Sequence, residues 1–428
     1  MKHMKLIIII IMLLPALCQA VDDGYGYPFP SSYGATILGT PDALKPVLPA
    51  KIKSKRLVLN VIPGLTKPDI FYYNEGLRCT FAYQKKKAPL VFLIAGTGSG
   101  DQSPKLMTLM KAYYQAGFHV VTLPSSTHPN FVVAGSHSHI PGDLTEDAVD
   151  LYWVMESVWN KVKGDIEVSD FYLCGYSLGG TQSAFIAKLD EERKIFNFRK
   201  VLMINPVVNL YDSVLRIEAI LDKIPGGSQE VSKFLNSVLY RFTEFYRQGE
   251  FVSFNETFLY AIANSKTFSQ DDEAGLIGAS FRIASGGMIF SSDVMTNGGY
   301  VVPKNRVLSS NDDLSQYLRV STHLSFINYF EEYFYPYFKK KRPGLTKEAL
   351  IFSLGLKSIE PYLKSSEKFG VITNENDFIL SPEDLDYLRS LFGERTKIYP
   401  RGGHLGNLEY KDNLAYSVDF FKQEGGKQ

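Results

Sequence analysis

Short apolar runs alternate with segments of helical spacing along the first half of the chain. The apolar runs predict buried strands at residues 89–94, 119–123, 171–174 and 200–204. The segments between them have the spacing of amphipathic helices, near 104–116, 145–162 and 181–188. Strands that alternate with helices form a mostly parallel sheet covered on both faces. We therefore expect an α/β architecture.

The alternation stops after residue 207 and returns near 369, where two further strands are predicted at 369–373 and 396–399. The intervening stretch has helical periods and many Phe and Tyr residues. This pattern predicts five parts, which are a signal peptide (1–20), an extended N-terminal segment (21–65), the first part of the core (66–207), a helical insertion (208–365) and the second part of the core (366–428).

The first twenty residues have the pattern of a secretory signal peptide. Lys2 and Lys5 precede an apolar stretch at 6–14, and small and polar residues follow before Val21. The sequence has no other run of 18 apolar residues, so we expect no integral membrane segment in the mature chain. The expected location is periplasmic or secreted, and a lipid anchor at Cys18 is the less favoured alternative.

Charge and composition narrow the set of partners. Lys and Arg number 46 against 45 Asp and Glu, so the chain is close to neutral. A balanced charge gives no basic surface for nucleic acid, and we expect no nucleic-acid partner.

The pentapeptide Gly175-Tyr176-Ser177-Leu178-Gly179 directly follows a predicted strand and precedes a predicted helix. This G-x-S-x-G pattern is typical of a nucleophile elbow, in which a serine lies at a sharp turn between strand and helix. Glycine on either side of the serine avoids collisions with the neighbouring backbone. Ser177 is therefore the candidate nucleophile.

A serine nucleophile needs a base and an orienting acid, and in this setting they follow in the order Ser, Asp or Glu, His. Asp377 follows the predicted strand at 369–373 and is the candidate acid, with Glu375 on the same loop as its rival. His404 lies in the loop after the strand at 396–399 and is the candidate base.

Upstream, the apolar run at 89–94 ends in a glycine-rich loop at 95–100. Backbone N–H groups of Thr97 and Leu178 are the candidate oxyanion hole. Together with the elbow, the acid and the base, this loop resembles the α/β-hydrolase superfamily over roughly residues 60–207 and 366–425. One departure is Ala95-Gly96, where that family commonly has His-Gly.

The resemblance implies an α/β-hydrolase fold with the strand order 1-2-4-3-5-6-7-8, helices on both faces and a helical cap or lid over the active site. In that order Cys79 and Cys174 lie three strands apart, about 14 Å, which is too far for a disulfide. Loops at the catalytic face supply the candidate substrate-binding residues, which are Gly96, Gly98, Tyr176 and His128.

Two other kinds of site match parts of the same loops. A phosphate-binding loop at 96–101 is disfavoured because Asp101 stands where a G-x-G-x-x-G motif has its last glycine. The spacing of His137 and His139 suits zinc, but no clear further ligands accompany it. We expect neither a cofactor nor a metal.

The sequence thus predicts a serine hydrolase that cleaves a small or lipid-like carboxylic ester through an acyl-enzyme on Ser177. A peptidase, an amidase or an acyltransferase would use the same three residues. A hydrolase fold that only binds its ligand is the alternative from a different class.

Overall fold

The computed structural model describes residues 24–227, 230–234, 237, 240 and 269–423. Its centre is an eight-stranded sheet with the order β1-β2-β4-β3-β5-β6-β7-β8, as the resemblance implied. The strands are β1 (Ser54–Leu59), β2 (Leu77–Ala82), β3 (Ala88–Ile94), β4 (His119–Leu123), β5 (Val168–Tyr176), β6 (Lys200–Ile204), β7 (Phe369–Asn374) and β8 (Thr396–Tyr399). β2 is antiparallel to β1 and β4, and the other neighbours are parallel.

Helices cover both faces of the sheet. Outside the insertion they are α1 (Ser32–Leu38), α2 (Pro104–Gln115), α3 (Pro129–Ala134), α4 (Leu144–Val162), α5 (Leu178–Arg193), α13 (Pro382–Phe392) and α14 (Lys411–Lys422). Successive side chains of a strand point to opposite faces. On β3, Phe92 and Ile94 therefore join one hydrophobic cluster with α4 and α5, while Val91 and Leu93 join the other with α2 and α14. The predicted two-faced α/β fold is confirmed.

Both cysteines of the described chain are buried and free. Cys79 lies on β2 and Cys174 on β5, and two strands separate them in the sheet. Burial raises the pKa of each thiol. Both therefore act as small apolar side chains of the core.

The insertion between β6 and β7 is largely helical over its described residues. Its helices are α6 (Leu210–Leu221), α7 (Gln270–Thr296), α8 (Ser315–His323), α9 (Phe326–Asn328), a π-helical turn (Tyr329–Phe334), α10 (Tyr335–Lys341), α11 (Lys347–Ser353) and α12 (Glu360–Ser365). A buried ion pair between Glu218 on α6 and Arg282 on α7 joins two of these helices. The aromatic residues predicted for the insertion at 242–260 lie outside the described residues.

Helix α7 is long and apolar enough to cross a membrane when judged by length and composition alone, with a mean hydropathy of 1.2. Within the fold, however, 61% of that apolar window is buried. The helix also carries the buried Arg282 and contacts α6, α8, α3 and α1. We interpret it as the central helix of the insertion, and the absence of a membrane segment stays a prediction.

The N-terminal segment differs from the extended strip predicted for 21–65. It contains α1, which begins with a side-chain cap from Ser31, and β1, which pairs with β2 along six residues. The sheet therefore begins at Ser54, before the predicted boundary at residue 66. β1 was missed because only Leu57 and Leu59 of its six residues are buried, which leaves a weak apolar signal.

Candidate active site

Ser177 lies at the tight turn between β5 and α5 with φ 54° and ψ −128°. Residues with a side chain rarely adopt this backbone conformation. In this turn the Ser177 N–H donates a hydrogen bond to the Ile204 carbonyl at 2.8 Å. A Cβ added to Gly175 would lie 2.1 Å from the Gly179 oxygen, and one added to Gly179 would lie 2.5 Å from the Ala95 oxygen. The turn therefore requires both glycines of the motif.

Three residues from separate loops form a continuous hydrogen-bonded chain. His404 Nε2 lies 2.9 Å from Ser177 Oγ, and His404 Nδ1 lies 3.0 and 3.1 Å from the two carboxylate oxygens of Asp377. The Asp377 side chain is fully buried and that of His404 is 15% exposed. The structure thus brings together the three residues that the sequence predicts as nucleophile, base and acid.

The Asp377 carboxylate is held by two more donors. Asn205 Nδ2 donates to one oxygen at 2.8 Å, and the Ile379 N–H donates to the other at 3.2 Å. Asn205 follows β6 and has a positive φ of 45°. These donors satisfy both oxygens of a fully buried carboxylate. Sequence reasoning missed Asn205, whose only signal was its place directly after a buried strand.

Glu375, the rival acid, is directed elsewhere. Its carboxylate pairs with Arg389 on α13, and its side chain is 45% exposed. Asp377 is the carboxylate that contacts His404.

Helix α1 supports the loop that carries His404. The His404 N–H donates to Thr36 Oγ1 at 2.9 Å, and that hydroxyl donates to the Ser32 carbonyl at 2.8 Å. Gly403 has φ 56°, and a Cβ there would lie 2.1 Å from the Ser32 oxygen. The N-terminal segment therefore positions the candidate base, a role that the sequence did not reveal.

The candidate oxyanion donors lie beside Ser177. Gly96 packs so closely that a Cβ on it would lie 2.9 Å from Ser177 Cβ, which brings the adjacent Thr97 to the site. Leu178 is the first residue of α5, where a backbone N–H has no helical acceptor. Within the described part of the chain, no hydrogen-bond acceptor contacts the N–H of Thr97 or Leu178. Both are thus available to a developing oxyanion.

A cavity of about 370 Å³ opens at Ser177 and His404. Helices α6 and α7 of the insertion supply much of its apolar wall, and the loops of the core supply the rest. The apolar lining residues are Val207, Leu210, Val214, Ile217, Ile277, Phe281, Phe378, Ile379 and Leu405. The insertion therefore covers the candidate nucleophile with an apolar surface, as a cap does.

The predicted substrate-binding residues divide into two pairs. Gly96 and Tyr176 line the cavity. Gly98 and His128 are not among its lining residues. Gly98 has φ 71° and its N–H donates to Thr127 Oγ1 at 2.8 Å, so it shapes the loop.

His128 was placed at the substrate because its loop follows a strand at the catalytic edge. It instead caps α3, since its Nδ1 accepts from the Asn130 N–H at 3.1 Å, and burial lowers its pKa.

His137 contacts Asp150 and His139 contacts the Val132 carbonyl, at 2.6 Å each. Among the described residues, no cluster of three or more potential metal ligands occurs.

The strand order, the elbow after β5 and the helical insertion after β6 define the α/β-hydrolase fold. The resemblance to this superfamily is thereby confirmed at the level of the fold.

Similarity to known proteins is confined to structure and is weak in sequence. No family model and no curated protein matches the sequence. Among solved structures, a putative hydrolase from Legionella pneumophila is 12% identical with a TM-score of 0.45, over 93% of this chain and 97% of that one.

Two other solved structures are similar to the same degree. An esterase from Pyrococcus furiosus is 9% identical with a TM-score of 0.42, over 89% of this chain and 97% of that one. A thioesterase domain from the curacin biosynthetic pathway is 13% identical with a TM-score of 0.38, over 87% and 100%. At such identities and overlaps, we draw no conclusion about substrate from these similarities.

Proposed function

We propose that this protein is a serine hydrolase that cleaves a carboxylic ester through an acyl-enzyme on Ser177. The observation that carries the proposal is the continuous chain from Ser177 Oγ through His404 to the buried Asp377 carboxylate. This constellation converts a weakly nucleophilic hydroxyl into an effective one. The N–H groups of Thr97 and Leu178, which meet no acceptor among the described residues, add the second requirement, which is stabilisation of negative charge on the substrate oxygen.

In the proposed mechanism, His404 Nε2 accepts the Ser177 proton as Oγ attacks the ester carbonyl carbon. The carbonyl oxygen becomes an oxyanion that faces the N–H groups of Thr97 and Leu178. His404 then gives its proton to the alcohol oxygen, the C–O bond breaks and the alcohol leaves. Asp377 keeps the Nδ1 proton in place and stabilises the imidazolium throughout.

The second half repeats these steps with water. His404 removes a proton from water, and the hydroxyl oxygen attacks the acyl carbon on Ser177. Collapse of the second tetrahedral intermediate releases the carboxylic acid, and His404 returns the proton to Ser177 Oγ. An alcohol in place of water would give acyl transfer, and an amide in place of the ester would give peptidase or amidase activity.

The cavity favours an ester with an apolar part. Nine of its lining residues are apolar, and several of them belong to the insertion. An acyl chain can lie against this wall while the carbonyl group stays at Ser177. The substrate we propose is accordingly a small or lipid-like ester.

The test is labelling and turnover. A fluorophosphonate should form an adduct on Ser177, and a panel of p-nitrophenyl esters should be hydrolysed by the wild type but not by Ser177→Ala. Ser365→Ala, which changes an exposed serine on α12, serves as the control and should behave as the wild type.

Ester turnover that persists in Ser177→Ala would remove Ser177 as nucleophile. A folded wild type that neither reacts with the probe nor turns over esters, amides or peptides would instead favour the non-catalytic binding module. Peptide cleavage without ester cleavage would move the assignment to a peptidase.

We also propose that the protein is exported, on the strength of the signal-like residues 1–20, which lie outside the described residues. Export predicts a mature protein that begins at Val21 in the periplasmic or culture fraction, as measured by mass spectrometry. An intact N-terminus in the cytoplasm would contradict export. A lipid on Cys18 would favour the lipoprotein alternative.

A further inference from the structure

One cation lies in the wall of the cavity at Ser177. Lys105 is a lining residue on α2, and the described lining contains no Asp or Glu. Apart from His404, the rest of the wall is neutral. An apolar wall for an acyl chain gives no reason for a lysine, whose ammonium group loses hydration there.

The Lys105 ammonium has no partner of opposite charge in contact. Over the described ranges, no carboxylate lies within 4.0 Å of it, and no side chain or carbonyl accepts a hydrogen bond from it. The charged groups that affect the pKa of Lys105 are Glu409, which raises it, and Lys45, which lowers it. Glu409 is already engaged, since Lys45 Nζ lies 3.5 Å from its carboxylate and Thr108 Oγ1 donates to it.

Burial lowers the pKa of Lys105, because the loss of hydration destabilises the charged ammonium by more than the Glu409 carboxylate stabilises it. An anion placed beside the ammonium would restore the lost stabilisation. The wall therefore holds a positive charge whose compensation is incomplete in the free protein.

Two serine hydroxyl groups belong to the same cavity lining as this lysine. Ser99 and Ser103 line the same wall, and Ser103 Oγ lies 3.1 Å from the Tyr176 hydroxyl. Ser103 precedes α2 without capping it through its side chain. Where its oxygen accepts from the Tyr176 hydroxyl, its own O–H can donate to a ligand. A cation with adjacent hydroxyl groups is a suitable set of donors for the oxygens of a carboxylate.

We propose that the substrate is an anionic ester whose free carboxylate pairs with Lys105 while its apolar part lies along α6 and α7. This proposal rests on the proposed ester hydrolysis at Ser177 and names its substrate class. Lys105 is a binding residue in it and takes no part in bond making or breaking.

The experiment compares two matched pairs of esters. The first pair is mono-p-nitrophenyl adipate and p-nitrophenyl hexanoate, which have equal chain length and differ in the terminal carboxylate. The second pair is 3-acetoxybenzoate and 3-acetoxybenzamide, which carry the charge on the leaving group. For each pair the ratio of kcat/KM for the anionic ester to that for the neutral ester is measured, corrected for spontaneous hydrolysis.

The wild type should prefer the anionic member of one pair, and Lys105→Met should lower that ratio about 10-fold to 100-fold, as expected for a charge-assisted hydrogen bond. Lys105→Arg should retain most of the preference. Lys111→Met removes a lysine from the same helix outside the cavity and should leave the ratio unchanged. A loss in the adipate pair places the carboxylate on the acyl side, and a loss in the benzoate pair places it on the alcohol side.

A ratio that Lys105→Met does not change, or that Lys111→Met lowers equally, would overturn the proposal. Turnover of the neutral esters reports on Ser177 independently of this question. If no ester is cleaved, calorimetric binding of monomethyl adipate to Ser177→Ala, with and without Lys105→Met, decides the matter. Equal binding by the two proteins, or no binding by either, would overturn it as well.

Discussion

Replacement of Asp377 by Asn tests the orientation of His404. Both Asp377 oxygens face donors, since Asn205 Nδ2 lies 2.8 Å from one and the Ile379 N–H lies 3.2 Å from the other. An amide has one oxygen and one NH₂ group, so in either orientation its NH₂ faces one of these donors. A buried donor without an acceptor costs about 1–3 kcal/mol, and the free energy of unfolding should fall by that amount.

The loss of catalytic rate should be larger, in free-energy terms, than the loss of stability. His404 Nδ1 contacts both oxygens of Asp377, and an amide NH₂ directed at it would force Nδ1 to accept a hydrogen bond. The proton would then reside on Nε2, which could no longer accept the Ser177 proton. We expect kcat to fall about 10⁴-fold, which corresponds to a barrier about 5 kcal/mol higher.

The assay is hydrolysis of a p-nitrophenyl ester, together with the rate of fluorophosphonate labelling and urea unfolding. Glu375→Gln is the matched control on the same loop, since its carboxylate is exposed and pairs with Arg389. It should lower kcat by no more than about 2-fold, as expected for the loss of a surface ion pair. Activity of Asp377→Asn within tenfold of the wild type, or a large loss in Glu375→Gln, would refute this account of the acid.

Three further predictions concern the elbow and the cap. Gly179→Ala should prevent soluble expression or strongly reduce the free energy of unfolding, because the new Cβ would lie 2.5 Å from the Ala95 oxygen. Gly164→Ala is the control, since a Cβ there would have no atom within 4 Å. Equal soluble yields of the two variants would contradict the steric argument. Ile277→Trp should narrow the cavity and disfavour esters with long acyl chains by about 1–3 kcal/mol relative to acetate esters. The measurement is kcat/KM across a series of acyl chain lengths. An unchanged chain-length preference would argue against a cap that selects substrates. Glu218→Gln should lower the free energy of unfolding by about 3–5 kcal/mol, because the buried Arg282 would lose its partner of opposite charge. The same change at Glu230, which pairs with the exposed Lys233, is the control and should be nearly neutral in urea titrations.

The sequence could predict the residues that meet at Ser177 because each follows a strong local signal. Ser177 lies in a G-x-S-x-G motif between a predicted strand and a predicted helix, and Asp377 and His404 follow apolar runs in the order this fold demands. The strand order could be inferred from the resemblance alone, since parallel pairing leaves no mark in the spacing of residues. The structure agrees with that order.

The supporting residues could not be predicted in the same way. Asn205 and Asp377 are 172 residues apart, and Thr36 and His404 are 368 residues apart. Each contact depends on how distant loops pack, and neither residue type is unusual at its position. The position of Lys105 in the cavity could not be predicted either, because a single lysine at the start of a helix is a common surface feature.

His128 shows how a local signal can mislead. The loop after β4 was expected to border the catalytic face, and the spacing of His137 and His139 suits zinc. In the fold, His128 caps α3, while His137 and His139 each bond to a different neighbour. Nearness in sequence did not bring their rings to one point, because each ring is held by a different partner.

Helix α1 links the candidate base to the cap. Thr36 on α1 accepts from the backbone of His404, and Ser31, which caps α1, donates to Glu273 on α7 at 3.2 Å. Burial raises the pKa of Glu273, in keeping with its position between the two helices. Helix α7 also carries lining residues of the cavity. Helix α1 therefore contacts both the loop that carries His404 and the helix whose side chains would select the substrate. The N-terminal segment is therefore part of the site's framework.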